Sequence, residues 1–317
     1  MFYALGEDGL PDVEALERGP ASEAGAILVP HLFGRTQSLA NVRRWCDANG
    51  VALIEDCAHA CFGQAGDRLV GGWGDFAVAS LTKFLPVPEG GLLASAVRSV
   101  PALALRPRPW TDEAKGWVDV IECGALHGRI AGFNALLGTA FRAKHMLRRT
   151  KWRRDGDPES DGAPCQTVAQ ALASCDMARV SDAPLSVVGW MRSHLSFEQT
   201  ATARRLNFDT YAQCLRGVRG AFVLAGTGPN GAGWPEAVAP YVFPLWVDNA
   251  DDVYARVRKL RLPVFRWDRL WPGTPALPGD RSIRWSRHVL QLLCHQDLSR
   301  TDVERVSHSL RQLVTGH

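Results

Sequence analysis

Val51-Ala52-Leu53-Ile54-Glu55-Asp56-Cys57-Ala58-His59-Ala60, followed after a glycine-rich turn by Gly74-Asp75-Phe76-Ala77-Val78-Ala79-Ser80-Leu81-Thr82-Lys83, sets the fold class of this chain. Val51 to Ile54 is a continuous apolar run, as expected of a parallel strand covered on both faces. Upstream, the run 26–31 ends in Leu32-Phe33-Gly34. Between the two runs a helical pattern places Leu39, Val42, Trp45 and Cys46 on one face until Asn49-Gly50 stops it. Strand, helix and strand make a βαβ unit, whose right-handed crossover sets the loops after the strands at the carboxyl edge of a parallel sheet, where open α/β folds bind ligands. His31, Asp56 and Ser80 through Lys83 fall at that edge. Phe76 to Ala79 and Gly91 to Ser95 read as further strands of the same sheet.

From Glu113 to Arg154 the pattern is helical, with Phe133, Leu136, Leu137, Phe141 and Met146 as candidate buried positions, and Asp155 to Pro164 is a polar, turn-rich loop. Helices resume at Val168, with one well marked over Phe197 to Leu215. Tyr241 to Val247 reads as a strand, Asp251 to Leu260 as a helix, Pro263 to Trp267 as a strand and Thr301 to Leu313 as a closing helix with N-cap candidates at Ser299 to Asp302. Asp8 and Asp12 read as turn and helix-cap residues. The expected organisation is an α/β large domain with a mostly parallel sheet over 1–178 and a smaller α+β domain over 179–317.

The 317 residues, 46% hydrophobic and 22% charged, suffice for two globular domains. A net charge of +3 is too mild to call for a nucleic-acid or membrane partner. The start lacks a basic segment leading into an apolar run, and no apolar stretch is long enough to span a bilayer, which predicts a soluble, non-exported protein. Eight scattered cysteines fit reduced thiols and a cytoplasmic setting. Cys57, His59 and Cys61 alternate on one segment, but no second pair completes a tetrahedral metal set, so buried thiols are the reading. The basic run Arg142, Lys144, Arg148, Arg149, Lys151, Arg153 and Arg154 reads as a solvated helix end, with a diphosphate as the ligand it would suit. Trp267 and Trp271, with Arg266 and Arg269, would either line a substrate mouth or pack as loop anchors.

Asp56 and Lys83, each at a strand end, are a carboxylate and an amine of the kind that pyridoxal 5′-phosphate (PLP) requires. A carboxylate beside the pyridine nitrogen raises that nitrogen's pKa and keeps it protonated, and a partly desolvated lysine condenses with the aldehyde and then moves the proton. Ser80 is the candidate phosphate ligand and His59 the candidate contact of the ring hydroxyl. His31 and Glu89 are candidate substrate contacts.

These residues resemble the DegT/DnrJ/EryC1/StrS family of PLP-dependent sugar aminotransferases, of aspartate aminotransferase fold type I. Val29 to Gly34 is similar to its "hlyG" strand end, Glu55 to Ala60 to its "EDaAqa" element, Gly71 to Asp75 to its "G..GD" turn, and Lys83 with Glu89-Gly90-Gly91 keeps its spacing from lysine to "eGG". Arg179 to Asp182 resembles "RmsD", Arg205 to Phe208 resembles "RR.Ny", and Cys294 to Leu298 resembles "LP.h.dL". The resemblance implies PLP as cofactor, an amino-acid donor with glutamate expected, a keto-sugar carried on a nucleotide as acceptor, and a homodimer.

Three departures accompany it. Ser80 stands three residues before the lysine rather than five, and Met177 takes the place of an asparagine that reaches the neighbouring subunit's cofactor. The family's phosphate-cradling "G(T/S)xA" turn at a helix N-terminus would precede the first residue, so the large domain is expected to be incomplete at its N-terminus. A truncated, inactive relative is therefore the rival expectation.

Overall fold

The computed structural model describes residues 1–19, 23–130, 132–134, 136–141, 176–224, 238–266 and 270–316. Val13–Arg18 (α1) is capped by Asp12, whose carboxylate accepts from Ala15 N. Then come Ala26–Pro30 (β1), Ala40–Asn49 (α2) and Ala52–Asp56 (β2), the expected βαβ unit. Gly50 closes α2 in the left-handed conformation at φ 67, which glycine adopts without a Cβ penalty. After the short ribbon strands Gln64–Ala65 (β3) and Arg68–Leu69 (β4) come Phe76–Ser80 (β5) and Gly91–Ala94 (β6). The sheet order is β1-β2-β5-β6, with β1–β2 and β2–β5 parallel.

Val42, Trp45 and Cys46 of α2, with Leu39, pack onto Ile27, Val29 and Leu53 of the sheet. Each fully buried aliphatic side chain there contributes about 1.5–3 kcal/mol. The expected burial of both faces is corrected by the burial pattern. Ile27, Val29, Leu53, Glu55 and Ala77 are buried, whereas the alternate residues Ile54, Asp56, Phe76, Val78 and Ser80 are partly exposed and Leu28 is 48% exposed. The apolar run therefore has a covered face and, among the described residues, an open one.

Towards the C-terminus, Ala221–Val223 (β7), Val242–Val247 (β8), Val264–Arg266 (β9) and Val289–Leu293 (β10) form a second, antiparallel sheet of order β7-β8-β10-β9. Helices Phe197–Cys214 (α5), Ala250–Lys259 (α6) and Arg300–Thr315 (α8) pack on it through Phe208, Tyr211, Val253, Val257, Val303 and Leu310. A reciprocal capping box between Ser299 and Asp302 starts α8. The central strand β10 and the helix before it, Ser282–His288 (α7), were not expected from the sequence.

The compact units do not follow the expected division at 178/179. One comprises residues 1–83, 92–101 and 196–317, and so contains both sheets; the other comprises 84–91 and 102–195. The second unit holds Trp110–Leu126 (α3) against Ser186–His194 (α4). Gly116 makes that approach, since a Cβ there would lie 2.7 Å from Leu185 Cδ1. Phe133 and Leu136, expected to be buried, are 60% and 72% exposed because nothing among the described residues covers them. The basic run over 142–154, Met146, the loop 155–164, the helix start at Val168, and Trp267 with Arg269 lie outside the described residues. No helix among the described residues is long and apolar enough to cross a membrane.

Candidate active site at the carboxyl edge of the parallel sheet

Glu55 fixes the framework. It is 0% exposed, and its Oε1 accepts from His31 Nε2 at 2.9 Å and Gly71 N at 2.8 Å, while Oε2 accepts from Trp73 N at 2.9 Å and Gly74 N at 3.2 Å. Burial alone would raise this carboxyl, but the His31 and backbone donors hold it below the usual glutamate range. His31 Nδ1 accepts from Gln37 N, so Nε2 carries the proton and the pair ties the exit of β1 to the turn before β5.

Next in sequence, Asp56 faces the other way, onto the open face. One carboxylate oxygen accepts from Ala58 N at 2.9 Å, and the other makes no hydrogen bond among the described residues. Lys83 ends the short turn Leu81–Lys83 after β5, and its Nζ makes no ion pair or hydrogen bond among them. Burial draws its pKa below the ordinary lysine value, against the pull of the Asp56 charge. The ring of Tyr241 lies between the groups: its centroid is 5.4 Å from Lys83 Nζ and 4.3 Å from the His59 ring, stacked at 12°. Burial, followed by the charge of Lys83, pulls His59 down to about 3, so the imidazole is neutral near pH 7. Ser80 Oγ and Thr82 Oγ1 lie 3.1 Å apart beyond the end of β5.

The turn that brings Tyr241 in depends on Gly34. At φ +84, a Cβ there would meet Tyr241 N at 2.3 Å and His59 O at 2.9 Å, so only glycine fits. Tyr241 N in turn donates to Phe33 O at 3.1 Å. From the other side of the edge, Arg204 of α5 donates to Lys83 O at 2.7 Å. Tyr3 donates its hydroxyl to Leu28 O at 2.9 Å, and burial, followed by the Asp56 charge, raises its phenol.

Asp56, His59, Ser80 and Lys83 thus share one unit and one sheet edge. His31 does not join them as a substrate contact: it is 1% exposed, its ring nitrogens are used internally, and it is corrected to a framework role. Glu89 lies in the second unit, where it accepts from Arg179 Nη2 at 2.8 Å and Leu185 N at 3.1 Å, which makes it part of an ion-pair network with Arg108 and Asp182 rather than an available substrate ligand. Tyr241, Thr82 and Arg204 were missed. Thr82 lay within the quoted stretch, but nothing local in the sequence marks the other two, which arrive from elements more than a hundred residues away.

The residues fit PLP by their chemistry, namely a carboxylate oxygen and an amine of lowered pKa that have no ion pair or hydrogen bond among the described residues, a neutral imidazole and two adjacent hydroxyls. The described side chains that group as possible metal ligands are His31, Glu55 and Cys57, a different set from the Cys57, His59 and Cys61 alternation read from the sequence as buried thiols, and the hydrogen bonds of Glu55 account for that cluster without an ion. An apolar cavity of about 680 Å³ lies away from these groups, along the outer edge of β1 between Phe2, Leu16, Ile27, Leu28 and Trp45.

Residues 5–100 match the model of the DegT/DnrJ/EryC1/StrS aminotransferase family. This segment contains the strands and turns that carry Asp56, His59, Ser80 and Lys83. Among curated proteins, a GDP-perosamine synthase of Vibrio cholerae is 32% identical over 92 residues, covering 28% of this chain and 25% of its own length. An L-glutamine:2-deoxy-scyllo-inosose aminotransferase of Streptomyces kanamyceticus is 31% identical over 128 residues, 37% of this chain and 29% of its own. These matches thus span less than a third of either relative. Among solved structures, DesI with its TDP-sugar product superposes with a TM-score of 0.63 at 19% identity, over 100% of this chain and 69% of that one. A DegT/DnrJ/EryC1/StrS aminotransferase from Brucella abortus gives 0.59 at 15% identity, over 99% and 73%. The α/β fold with its mostly parallel sheet is the fold of these aminotransferases.

Proposed function

We propose that this chain carries the cofactor site of a PLP-dependent sugar aminotransferase, which moves an amino group from an amino-acid donor, glutamate or its amide, to a keto-sugar linked to a nucleotide. The family match over the segment that bears the site supports this reading, as do the relatives named GDP-perosamine synthase and L-glutamine:2-deoxy-scyllo-inosose aminotransferase. The observation that carries it is Lys83, an unpaired, partly buried amine on the same edge as the unspent oxygen of Asp56. The setting we propose is a cytoplasmic homodimer serving polysaccharide or natural-product synthesis.

PLP, when bound, supplies an aldehyde and an electron-withdrawing pyridinium ring. Asp56 would hold the ring nitrogen's proton, and His59, neutral, would hydrogen-bond the ring hydroxyl. Ser80 and Thr82 would donate to the phosphate. Lys83 holds a larger free-amine fraction at neutral pH than an exposed lysine, because burial disfavours its ammonium form. The same amine would move a proton at the substrate carbon. Tyr241 and His59 wall off one side of it from water.

The test uses the chain's five lysines, Lys83, Lys115, Lys144, Lys151 and Lys259. Mixing the protein with PLP, reducing with borohydride and mapping peptides by mass should put the pyridoxyl label on Lys83, and Lys83→Ala should abolish it. A label spread over the other four lysines, unchanged in Lys83→Ala, would overturn the reading.

A further inference from the structure

We infer that Arg204 is a positioning residue for Lys83, holding the carbonyls of the reactive lysine and of Pro240, the residue before its aromatic neighbour, in one guanidinium fork. The inference deepens the proposed function and rests on Lys83 being the reactive amine. Arg204 lies in α5, 121 residues from Lys83 in sequence, and is 1% exposed. Its Nη2 donates to Lys83 O at 2.7 Å, its Nη1 to Pro240 O at 3.4 Å and its Nε to Gln296 Oε1 at 2.8 Å. Three segments distant in sequence meet on one side chain: the exit of β5, the approach to β8 and the loop after β10.

The chemistry of each contact matters. Lys83 closes a three-residue turn, and the last carbonyls of such a turn have no partner within it. Arg204 supplies one, and a planar fork fixes direction as well as distance. Pro240 precedes Tyr241, whose ring stands against both Lys83 Nζ and His59. Arg204 therefore sets both where the lysine leaves the backbone and where its wall stands. Burying an arginine carries a desolvation cost that an aliphatic residue of similar volume would not incur. A core filler does not need this fork, whereas a part that must hold two backbones in register does. The groups facing Lys83 Nζ are Asp56, Tyr241 and His59; Arg204 acts on the main chain behind it.

The test needs no cofactor. Competitive acylation of the whole chain with isotopically labelled acetic anhydride across pH, read by peptide mass, gives the titration midpoint of Lys83, with the exposed Lys259 as internal reference. In the unaltered chain Lys83 should titrate below the ordinary lysine value. In Arg204→Met its midpoint should rise toward the ordinary lysine value of about 10.4, because the side chain swings out of its half-buried seat. Arg204→Lys, which keeps the charge and loses the fork, should give an intermediate rise, and Gln296→Leu, which removes one outer contact, a smaller one. Lys259 should not move in any of them. Folding is checked by circular dichroism, and Gln296→Leu carries the test where Arg204→Met does not fold. A Lys83 profile unchanged in every folded variant, with only the melting temperature lowered, would overturn the positioning role and leave Arg204 a packing residue. A profile that shifts as expected in a chain that takes no pyridoxyl label on Lys83 would sustain the positioning and refute the cofactor reading.

Discussion

Replacing Glu55 by glutamine tests the framework beneath the site at a cost that follows from its hydrogen bonds. The carboxylate is sealed from water and accepts four of them, two on each oxygen. A glutamine amide has one oxygen and one nitrogen, and the nitrogen presents donors to partners that are donors themselves. With the nitrogen toward Trp73 and Gly74, two bonds to a charged acceptor are lost and two backbone N–H groups are stranded; flipped, it faces Gly71 N and His31 Nε2 instead. At roughly 1.5–3 kcal/mol for each bond to a charged group, Glu55→Gln should lose about 3–6 kcal/mol. Urea unfolding followed by tryptophan fluorescence is a suitable assay, because Trp73 sits in the tied loop and is 4% exposed. Acid should reproduce the same loss. A carboxyl held below its ordinary value contributes stability that is present above about pH 4.3 and falls away as pH drops through the folded-state value. That acid limb should flatten in the variant. A loss under about 1 kcal/mol, with the acid limb unchanged, would refute the view that this carboxylate holds the turn.

Two further outcomes follow from the geometry. Gly34→Ala combines a strained φ with a Cβ 2.3 Å from Tyr241 N, so it should cost more than about 2 kcal/mol and disrupt the Tyr241–His59 stack, which near-ultraviolet circular dichroism of the aromatic rings would report. His59 titrates near 3 in the folded chain and near 6.5 when unfolded, so its contribution to stability is complete above about pH 6.5 and is lost as pH falls toward 3. An imidazole proton-resonance titration of His59 with a midpoint near 6.5 would contradict the burial assigned to it.

How much of this was legible in sequence depended on distance along the chain. The βαβ unit could be read because α2 keeps a helical period with Leu39, Val42, Trp45 and Cys46, and because Gly50 terminates it. That Asp56, His59, Ser80 and Lys83 lie at one sheet edge could be read because strand ends in a parallel sheet converge there whatever the rest of the fold does. The unit boundary was not legible, since 196–317 joins 1–83 through contacts between residues more than a hundred positions apart, such as Arg204 with Lys83 and Tyr241 with Phe33, and a local period does not name so distant a partner. Strand β10 was hidden because α7 runs directly into it, leaving no turn residue between the two periods. Arg204 and Tyr241 were invisible for a related reason, as a buried arginine in a helix pattern reads like a surface one until its acceptors are known.

The adjacent acids Glu55 and Asp56 show what the strand period contributes once a strand is granted. Successive side chains point to opposite faces of the sheet. The register pairs Glu55 with Val29 and Ala77, all on the face that α2 covers, and Asp56 with Pro30 and Val78 on the face left open. The covered position gives a carboxylate no water, so it must be met by donors, and the turn over 71–74 meets it. The open position gives a carboxylate room to receive a ligand's proton, and one of its oxygens is left for that. A one-residue slip of β2 would exchange these environments, burying an aspartate too short to reach the Trp73 and Gly74 amides and exposing a glutamate untethered at the site. The four hydrogen bonds on Glu55 therefore also hold the register that keeps Asp56 facing the same side as Ser80, so loss of Glu55 should reach the proposed site even though Glu55 does not touch it.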